Sequence, residues 1–511
     1  MPHNTTADLM LILEGTYPYV RGGVSSWVAN IIKGLPEINF SLVFIGSRRQ
    51  DYQEKSYDMP ANIVHYEEHF LYDSPPPPAV PPKIPARQFE CVEKFHGELR
   101  ELLDSKNAPI PNLSQNIREN PEAFNESAFL YSKASWNFIS QCFHKYSTEP
   151  SFIDYFWTVR NLHQPLWVLL KLVHTLPPAA AYHSVSTGYA GFLGAMLQHS
   201  RNAPYILMEH GIYTKERRID LLAADWIADN RNPFQHDPMQ LSYLREMWIR
   251  FFEALGKFAY DSANPIISLY DEARQRQIDD GADPYRTLII PNGVNIERLS
   301  PLREQRPFPP PPVLCLLGRV VPIKDIKTFI RAMRTVVNRL PEAEGWIVGP
   351  TDEDPDYFQE CEQLVVSLGL KDKVKFLGFQ KITDILPQSG VLVLSSISEG
   401  LPLVILEGYA SGLPCIATDV GSCRELIEGR TPEDKAIGPS GKVVGIADPA
   451  ALAGAALELL TQPEKWRQAQ QAAITRVETY YTEPQMLSRF REIYTEAIEN
   501  GRHRLRTAET S

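Results

Sequence analysis

Residues 391–407 of this chain read VLVLSSISEGLPLVILE, and they carry the strongest fold signal in the sequence. The apolar run Val391 to Leu394 is typical of a buried parallel strand. Pro402 is favoured in the first turn of a helix, because its missing amide proton is not needed there. A strand, a short loop and a helix in this order predict one βα unit of a parallel sheet.

The same alternation extends outward through most of the chain. Predicted strands are 9–13, 41–45, 62–66, 179–183, 204–208, 265–269 and 287–290, and then 313–317, 345–348, 374–378, 391–394 and 414–418. Helical patterns separate many of them, so we predict an α/β fold with two Rossmann-like domains of parallel sheet. Ligands of such sheets bind outside the carboxyl ends of the strands, and we therefore expect a cleft between the domains.

The 511 residues suit two domains better than one core. We predict a first domain over residues 1–300 with a helical insertion at about 72–178, where prolines and then amphipathic helices interrupt the alternation. A proline-rich hinge opens the second domain, residues 301–480. A last helix over 481–511 is expected to cross back to the first domain.

Composition excludes several classes. The net charge of −11 and the lack of a basic stripe argue against nucleic acid as a partner, so any phosphate site must be local. The six cysteines have no C-x-x-C spacing, which favours reduced, buried thiols. No signal peptide is visible and no apolar run reaches the ~18 residues of a membrane span, so we expect a cytoplasmic protein.

One carboxylate lies in the loop before the helix that begins near Pro402, and a second lies more than one turn along that helix. The amides of Leu403 and Val404 would face the loop, where free amides and the helix dipole favour phosphate oxygens. Glu407 could accept both hydroxyls of a ribose, and Glu399 could hold hydroxyls of a sugar. The plainer interpretation is an ordinary βα unit with two solvated acids.

A second segment, Gly318-Arg319 to Lys324, follows the predicted strand 313–317. An arginine and a lysine at the carboxyl end of a strand can neutralise a diphosphate, the arginine through forked contacts and the lysine as a point charge. Two surface cations would be the alternative.

Together the two segments resemble the retaining glycosyltransferase family 4, which has the GT-B fold. Glu399 and Glu407 match its Glu-x7-Glu motif, and Gly318, Arg319 and Lys324 match its Gly-Arg…Lys element. Three further segments are similar to PelF-like glycosyltransferases of Pel exopolysaccharide biosynthesis: residues 14–27 (EGTYPYVRGGVSSW), 67–70 (EEHF) and 209–213 (EHGIY). The resemblance implies a donor that is most plausibly a UDP-sugar, a growing glycan as acceptor, and a polysaccharide synthase complex at the inner membrane, where the protein would be peripheral.

The resemblance also assigns two elements of the first domain. The loop with Gly22 and Gly23 would close over the donor phosphates, since glycines permit close backbone approach and left-handed turns before a helix that we expect Ser25 to open. A tight turn alone would also explain the glycines. His210 would contact the transferred sugar, although a histidine at a strand end is commonly a structural hydrogen-bonder.

The resemblance favours transfer on one face of the sugar, with retention and without a metal, over double displacement through a carboxylate nucleophile. Asp352 and Asp354 have the spacing of a divalent-metal motif, but we expect this acidic loop to cap the following helix.

Rival interpretations are a non-catalytic sugar-nucleotide-binding scaffold of a synthase complex and a nucleotide-sugar epimerase of the same fold. The sequence shows no context for the pyridoxal lysine of a phosphorylase. Neither domain's first strand is followed by the G-x-G-x-x-G loop of a Rossmann dehydrogenase. The sequence does not name the sugar, the acceptor or the oligomeric state.

Overall fold

A computed structural model describes residues 7–73, 76–104, 125–231 and 240–509. The chain divides into two compact units. The first unit comprises residues 1–268, 274–288 and 490–511, and the second comprises 269–273 and 289–489. Pro75 and residues 105–124 of the predicted insertion lie outside the described residues.

The first unit is built on a seven-stranded sheet. Its strands are β1 (Ala7–Glu14), β2 (Phe40–Gly46), β3 (Ile63–Phe70), β4 (Ala179–Ser184), β5 (Tyr205–Met208), β6 (Ile266–Ser268) and β7 (Thr287–Ile289). The order is β3-β2-β1-β4-β5-β6-β7, with β1 parallel to both β2 and β4. The winding reverses between β1 and β4, so the ligand crevice of this fold is expected at their carboxyl ends.

Helices cover this sheet and form the insertion. They are α1 (Gly23–Gly34), α2 (Ala86–Asp104), α3 (Glu126–Tyr131), α4 (Lys133–Tyr146), α5 (Phe152–Thr175), α6 (Tyr189–Arg201), α7 (Tyr213–Ala223), α8 (Tyr243–Ser262) and α9 (Asp271–Asp279). Asn125, Ser132 and Ser151 each accept an amide proton from the first turn of the helix that follows, which stops α3, α4 and α5 from beginning with unsatisfied amides. Apolar faces of α2, α5 and α8 pack into the core of this unit.

The second unit holds a six-stranded sheet of order β10-β9-β8-β11-β12-β13. Its strands are β8 (Val313–Leu317), β9 (Glu344–Val348), β10 (Val374–Gly378), β11 (Val391–Leu394), β12 (Cys415–Thr418) and β13 (Gly441–Val444). All pairings are parallel, and the winding reverses between β8 and β11. The last strand begins with Gly441. The residue is a glycine because a β-carbon there would lie 1.7 Å from the carbonyl oxygen of Cys415.

The helices that follow are α10 (Ile296–Leu299), α11 (Leu302–Gln305), α12 (Ile326–Arg339), α13 (Pro355–Ser367), α14 (Ile382–Ile385), α15 (Leu403–Ala410), α16 (Cys423–Glu428), α17 (Pro432–Lys435), α18 (Pro449–Thr461), α19 (Pro463–Tyr480) and α20 (Glu483–Glu509). The buried Arg476 of α19 fastens this unit by donating to the Asp434 carboxylate at 2.6 Å and to the Ile427 carbonyl at 2.9 Å.

The end of α20 packs within the first unit. Arg491 donates to Glu37 at 2.7 Å, and the Tyr494 hydroxyl lies 2.8 Å from Nδ1 of His183. Every predicted strand overlaps an observed strand, so the predicted α/β architecture with two Rossmann-like sheets is confirmed. Across the described ranges, no helix combines the length and the apolarity that crossing a bilayer requires.

Candidate functional site

In the second unit, the two loops at the reversal point carry three of the predicted site residues, Arg319, Lys324 and Glu399. The segment Gly318 to Lys324 follows β8, and Ser395 to Glu399 follows β11. The Lys324 ammonium donates to the Glu399 carboxylate at 2.5 Å, and the Ser396 hydroxyl donates to the same oxygen, also at 2.5 Å. The structure therefore brings Lys324 and Glu399 together as an ion pair at the carboxyl edge of the sheet.

The backbone around this pair is held closely. The Ser395 hydroxyl donates to the Lys324 carbonyl at 2.9 Å. The amide of Ser422 donates to the Gly400 carbonyl at 3.0 Å. Gly421 has φ +53°, and a β-carbon there would lie 2.2 Å from the Glu399 carbonyl oxygen. Sequence reasoning missed Gly421, although its place just after β12 was the available signal.

Helix α15 begins beside the Glu399 loop. It starts at Leu403, with Pro402 in the cap position and no side chain capping it among the described residues. Leu403 and Val404 are half-buried. An uncapped helix start, with its partial positive charge, can accept an anionic group.

Arg319 and Glu407 have other partners. Arg319 is exposed and pairs with Glu353 at 2.5 Å. The Glu407 carboxylate lies 3.6 Å from the Arg298 guanidinium, which sequence reasoning did not single out. Burial raises the pKa of Glu407, while the charge of Arg298 opposes that rise.

The acidic loop before α13 behaves as expected. Asp354 occupies the cap position of this helix and accepts the amide proton of Tyr357 at 3.0 Å. Over the described ranges, no group of three or more His, Cys, Asp or Glu side chains is arranged to hold a metal ion.

In the first unit, a pocket of about 490 Å³ opens at the carboxyl ends of β1, β4 and β5. Its volume falls in the ~300–1,000 Å³ range of small-molecule sites. Ser47, Tyr52 and Tyr72 line one part of it, and Trp226 and Trp248 line another. The pocket thus occupies the reversal point of the first sheet, where ligands of such folds bind.

His210 lines this pocket. Its ring lies edge-on to Trp27, with centroids 5.0 Å apart, and its Nε2 is buried without a hydrogen-bond partner among the described residues. Burial lowers the pKa of the imidazole to about 3. The ring is therefore neutral near pH 7, and Nε2 remains available to a ligand.

A polar network lies on the wall of the same pocket. The Tyr213 hydroxyl donates to Glu14 at 2.9 Å and accepts a hydrogen bond from Arg217, also at 2.9 Å. Burial raises the pKa of Tyr213 well above its usual value, and the charge of Glu14 adds to the rise. Arg218, one residue further on, pairs instead with Glu253 at 3.1 Å.

The glycine loop differs from the expectation. Helix α1 begins at Gly23 and not at Ser25, which is buried within the first turn. Gly22 has φ 172°, so its backbone is extended and does not use the left-handed conformation that a glycine permits. A β-carbon on Gly22 or Gly23 would meet nothing within 4 Å, so the chain itself does not require glycine at either place.

Comparisons with known proteins add the family. A family model described as "Domain of unknown function (DUF3492)" matches residues 7–285, and one described as "Glycosyl transferases group 1" matches residues 311–462. Among curated relatives, UDP-Gal:alpha-D-GlcNAc-diphosphoundecaprenol alpha-1,3-galactosyltransferase of Escherichia coli is 30% identical over 195 residues, covering 35% of this chain and 48% of the relative. D-inositol 3-phosphate glycosyltransferase of Geodermatophilus obscurus is 31% identical over 189 residues, covering 32% of this chain and 42% of the relative. The matches thus span less than half the length of either relative.

Two solved structures share the fold. Anabaena Alr3699/HepE, in complex with UDP and glucose, superposes with a TM-score of 0.54 at 15% identity, covering 95% of this chain and 99% of the other. Sucrose-phosphate synthase of Thermosynechococcus elongatus superposes with a TM-score of 0.56 at 17% identity, covering 96% and 98%. The chain belongs to the family described as domain of unknown function DUF3492, its residues 311–462 match the glycosyl transferases group 1 model, and its fold is of the GT-B class.

Proposed function

We propose that this protein is a retaining, metal-independent glycosyltransferase that moves a sugar from a UDP-sugar to a growing exopolysaccharide. The observation that carries the proposal is the position of Lys324. Its ammonium lies at the reversal point of the second sheet and donates a hydrogen bond to Glu399. Glu399 lies in the loop that leads into the start of α15, which has no side-chain cap among the described residues. A lysine and a helix start in one loop region suit a diphosphate.

Each donor group then has a place in the second unit. Lys324 and the amides of Leu403 and Val404 hold the diphosphate, and Arg319 joins them by leaving its exposed pair with Glu353. Glu407 accepts the ribose hydroxyls. UDP is the favoured nucleotide because one curated relative is a UDP-Gal-dependent galactosyltransferase by name and a neighbour of the same fold was solved in complex with UDP and glucose.

Glu399 and His210 are assigned to the transferred sugar. Glu399 accepts hydrogen bonds from its hydroxyls once Lys324 turns to the phosphate. The neutral His210 offers the unpartnered Nε2 to the sugar. Gly22 and Gly23 leave open space where a β-carbon would stand, which permits a donor phosphate to approach the start of α1.

The reaction proceeds on one face of the sugar. The bond between the anomeric carbon and the diphosphate oxygen breaks, and a bond to the acceptor hydroxyl forms on the same side. The departing phosphate oxygen takes the proton of that hydroxyl, so no separate general base is needed. The protein stabilises the negative charge that develops on the diphosphate through Lys324, Arg319 and the α15 amides.

The acceptor and the location are finer parts of the proposal. The segments at residues 14–27, 67–70 and 209–213 resemble those of Pel exopolysaccharide enzymes, and they support a growing glycan as acceptor. The same resemblance supports a cytoplasmic protein that docks on a polysaccharide synthase complex at the inner membrane.

The test is product formation from a panel of UDP-sugars and short glycan acceptors, followed by NMR of the new anomeric centre. We expect UDP release that requires an acceptor, a product with the anomeric configuration of the donor, and unchanged rates in EDTA. An inverted product would contradict the retaining mechanism. Activity lost in EDTA and restored by Mn²⁺ would contradict metal independence. Conversion of the donor without an acceptor would indicate an epimerase, and binding without turnover a scaffold.

A further inference from the structure

The pocket of the first unit contains polar atoms that the protein leaves without partners. Oγ1 of Thr16, Oγ of Ser186 and Nε of Arg217 are buried and unpartnered among the described residues, as is Nε2 of His210. All four residues line the pocket. A buried polar atom without a partner destabilises the protein, so these atoms favour a ligand that brings several hydrogen-bonding groups.

Aromatic side chains form the other part of the wall. Trp226, Trp248, Phe252 and Tyr213 all line the pocket, and the rings of Trp226 and Trp248 meet edge to face at 5.3 Å. Trp226 is 65% exposed although it belongs to the lining. An exposed indole beside a row of unsatisfied polar atoms suits a ligand with an apolar face and a hydroxylated edge, which is the chemistry of a sugar ring.

The charged side chains of the lining indicate whether the pocket suits a neutral or a phosphorylated sugar. Among the described residues of the lining, Glu14 and Glu216 carry carboxyl groups and Arg217 carries the positive charge. Burial raises the pKa of Glu216, and Asp220 adds to the rise. The Arg217 guanidinium already donates to the Tyr213 hydroxyl and lies over the rings of Tyr213 and Phe252, at 5.2 and 5.0 Å. A phosphate here would meet two acids and one cation, whose guanidinium already makes one hydrogen bond and keeps only Nε unpartnered, so its desolvation would not be fully offset.

We infer that this pocket binds the end of a neutral saccharide acceptor and disfavours a phosphorylated one. The inference rests on the proposed function for the word acceptor, while the binding itself does not depend on turnover. A neutral acceptor would differ from the phosphorylated compounds, a diphosphoundecaprenol and an inositol 3-phosphate, for which two curated relatives are named.

The saccharide stacks on Trp226, and its hydroxyls pair with Ser186, Thr16 and Arg217. Replacing Trp226 by alanine removes the stacking surface and, besides its contact with Trp248, little packing, because most of the indole is exposed. Trp157 is the matched control: it is another tryptophan of the same unit, 54% exposed on α5, and it does not line the pocket.

The experiment measures binding of maltotriose, cellotriose and triacetylchitotriose to the full chain by saturation-transfer NMR and calorimetry, with glucose and glucose 6-phosphate as a matched neutral and anionic pair. We expect at least one trisaccharide to bind, Trp226→Ala to weaken that binding about tenfold, Trp157→Ala to leave it unchanged, and glucose 6-phosphate to bind no better than glucose. Ser186→Ala, a smaller change, should weaken the same sugar several-fold.

Three results would overturn the inference: no trisaccharide binds, Trp226→Ala binds as well as wild type, or glucose 6-phosphate binds more tightly than glucose. UDP titration and transfer assays on the same samples separate this outcome from failure of the proposed function. Sugar binding that depends on Trp226 without any transfer would contradict the proposed function and support the inference that the pocket binds a saccharide. Transfer with a KM for the glycan that is unchanged in Trp226→Ala would do the reverse.

Discussion

The two units differ in whether the polar side chains of their candidate sites already have partners. In the second unit the charged side chains are already paired with one another: Lys324 with Glu399, Arg319 with Glu353, and Glu407 with Arg298. In the first unit the pocket keeps buried polar atoms that have no partner among the described residues. One site must exchange partners when a ligand arrives, and the other must gain them.

This difference indicates the class of ligand that each unit suits. Replacing an ion pair requires a ligand with formal charge, because only a charge offsets the loss of the carboxylate from Lys324. Filling unsatisfied neutral atoms requires hydroxyl groups and little charge. A donor with a diphosphate suits the second unit, and an uncharged sugar suits the first.

The largest expected effect tests the charged side of this comparison. Lys324→Ala should lower the transfer rate by about 10²–10³, because it removes the cation that we propose, with Arg319, stabilises the departing diphosphate. The measurement is the initial rate of UDP release with saturating donor. Lys327→Ala is the control, since Lys327 lies on α12 and pairs with Glu360. Equal losses in both variants would show a general effect of lost charge.

The next effect belongs to the unpartnered side. His210→Ala should lower the transfer rate by about 10², while the affinity for UDP stays within twofold, because the proposed function places His210 against the sugar and not the nucleotide. Because burial places the pKa of His210 near 3, the wild-type rate should show no step from this group between pH 5 and pH 8. A rate that falls with a midpoint near pH 6.5 and loses that dependence in the variant would contradict a neutral imidazole.

A smaller effect is expected at the ribose. Glu407→Gln should weaken UDP about tenfold and reduce the preference for UDP over 2′-deoxy-UDP, since an amide offers one acceptor oxygen where the carboxylate offers two. Calorimetry with both nucleotides measures the change. Burial raises the pKa of Glu407, so wild-type UDP affinity should increase with pH as this carboxyl ionises. Retention of the full ribose preference in the variant would remove Glu407 from the site.

The smallest effect concerns stability and not ligands. Glu425 accepts the amide proton of Asp271 at 3.0 Å, and burial, with the charge of Asp271, raises its pKa to about 7. The fold therefore favours the protonated form, whose contribution is present in full below about pH 4.5 and is lost as the pH rises through 7. After allowance for its partial exposure, wild type should lose about 1 kcal/mol of unfolding free energy between pH 5 and pH 8 from this group. Thermal unfolding of Glu425→Gln should show a correspondingly smaller loss.

The strands of the two sheets could be predicted from the sequence more completely than the contacts within the sites, for physical reasons. Buried parallel strands leave continuous apolar runs such as Leu9 to Leu13, and these located the strands. Strand β13 escaped because its sequence, GKVV, is short and carries a lysine. Lys324 and Glu399 were each chosen as candidates, but an ion pair across 75 positions depends on strand order, which local pattern does not encode.

The pocket of the first unit was hidden for the same reason. Its lining is drawn from positions as far apart as Glu14 and Phe252, and no local spacing joins them. His210 was identified through resemblance, whereas Trp226 and Ser186 carry no sequence signal. The glycines before α1 permit a left-handed turn, but Gly22 does not form one because an extended backbone also leads into a helix start.

The most direct test of the central claim, that Lys324 receives the diphosphate of the donor, is calorimetric titration of UDP and UMP into wild type and Lys324→Ala. Wild type should bind UDP at least tenfold more tightly than UMP, because the second phosphate reaches Lys324 and the start of α15. In the variant that gap should shrink to a few-fold. An equal gap in both proteins would contradict the account.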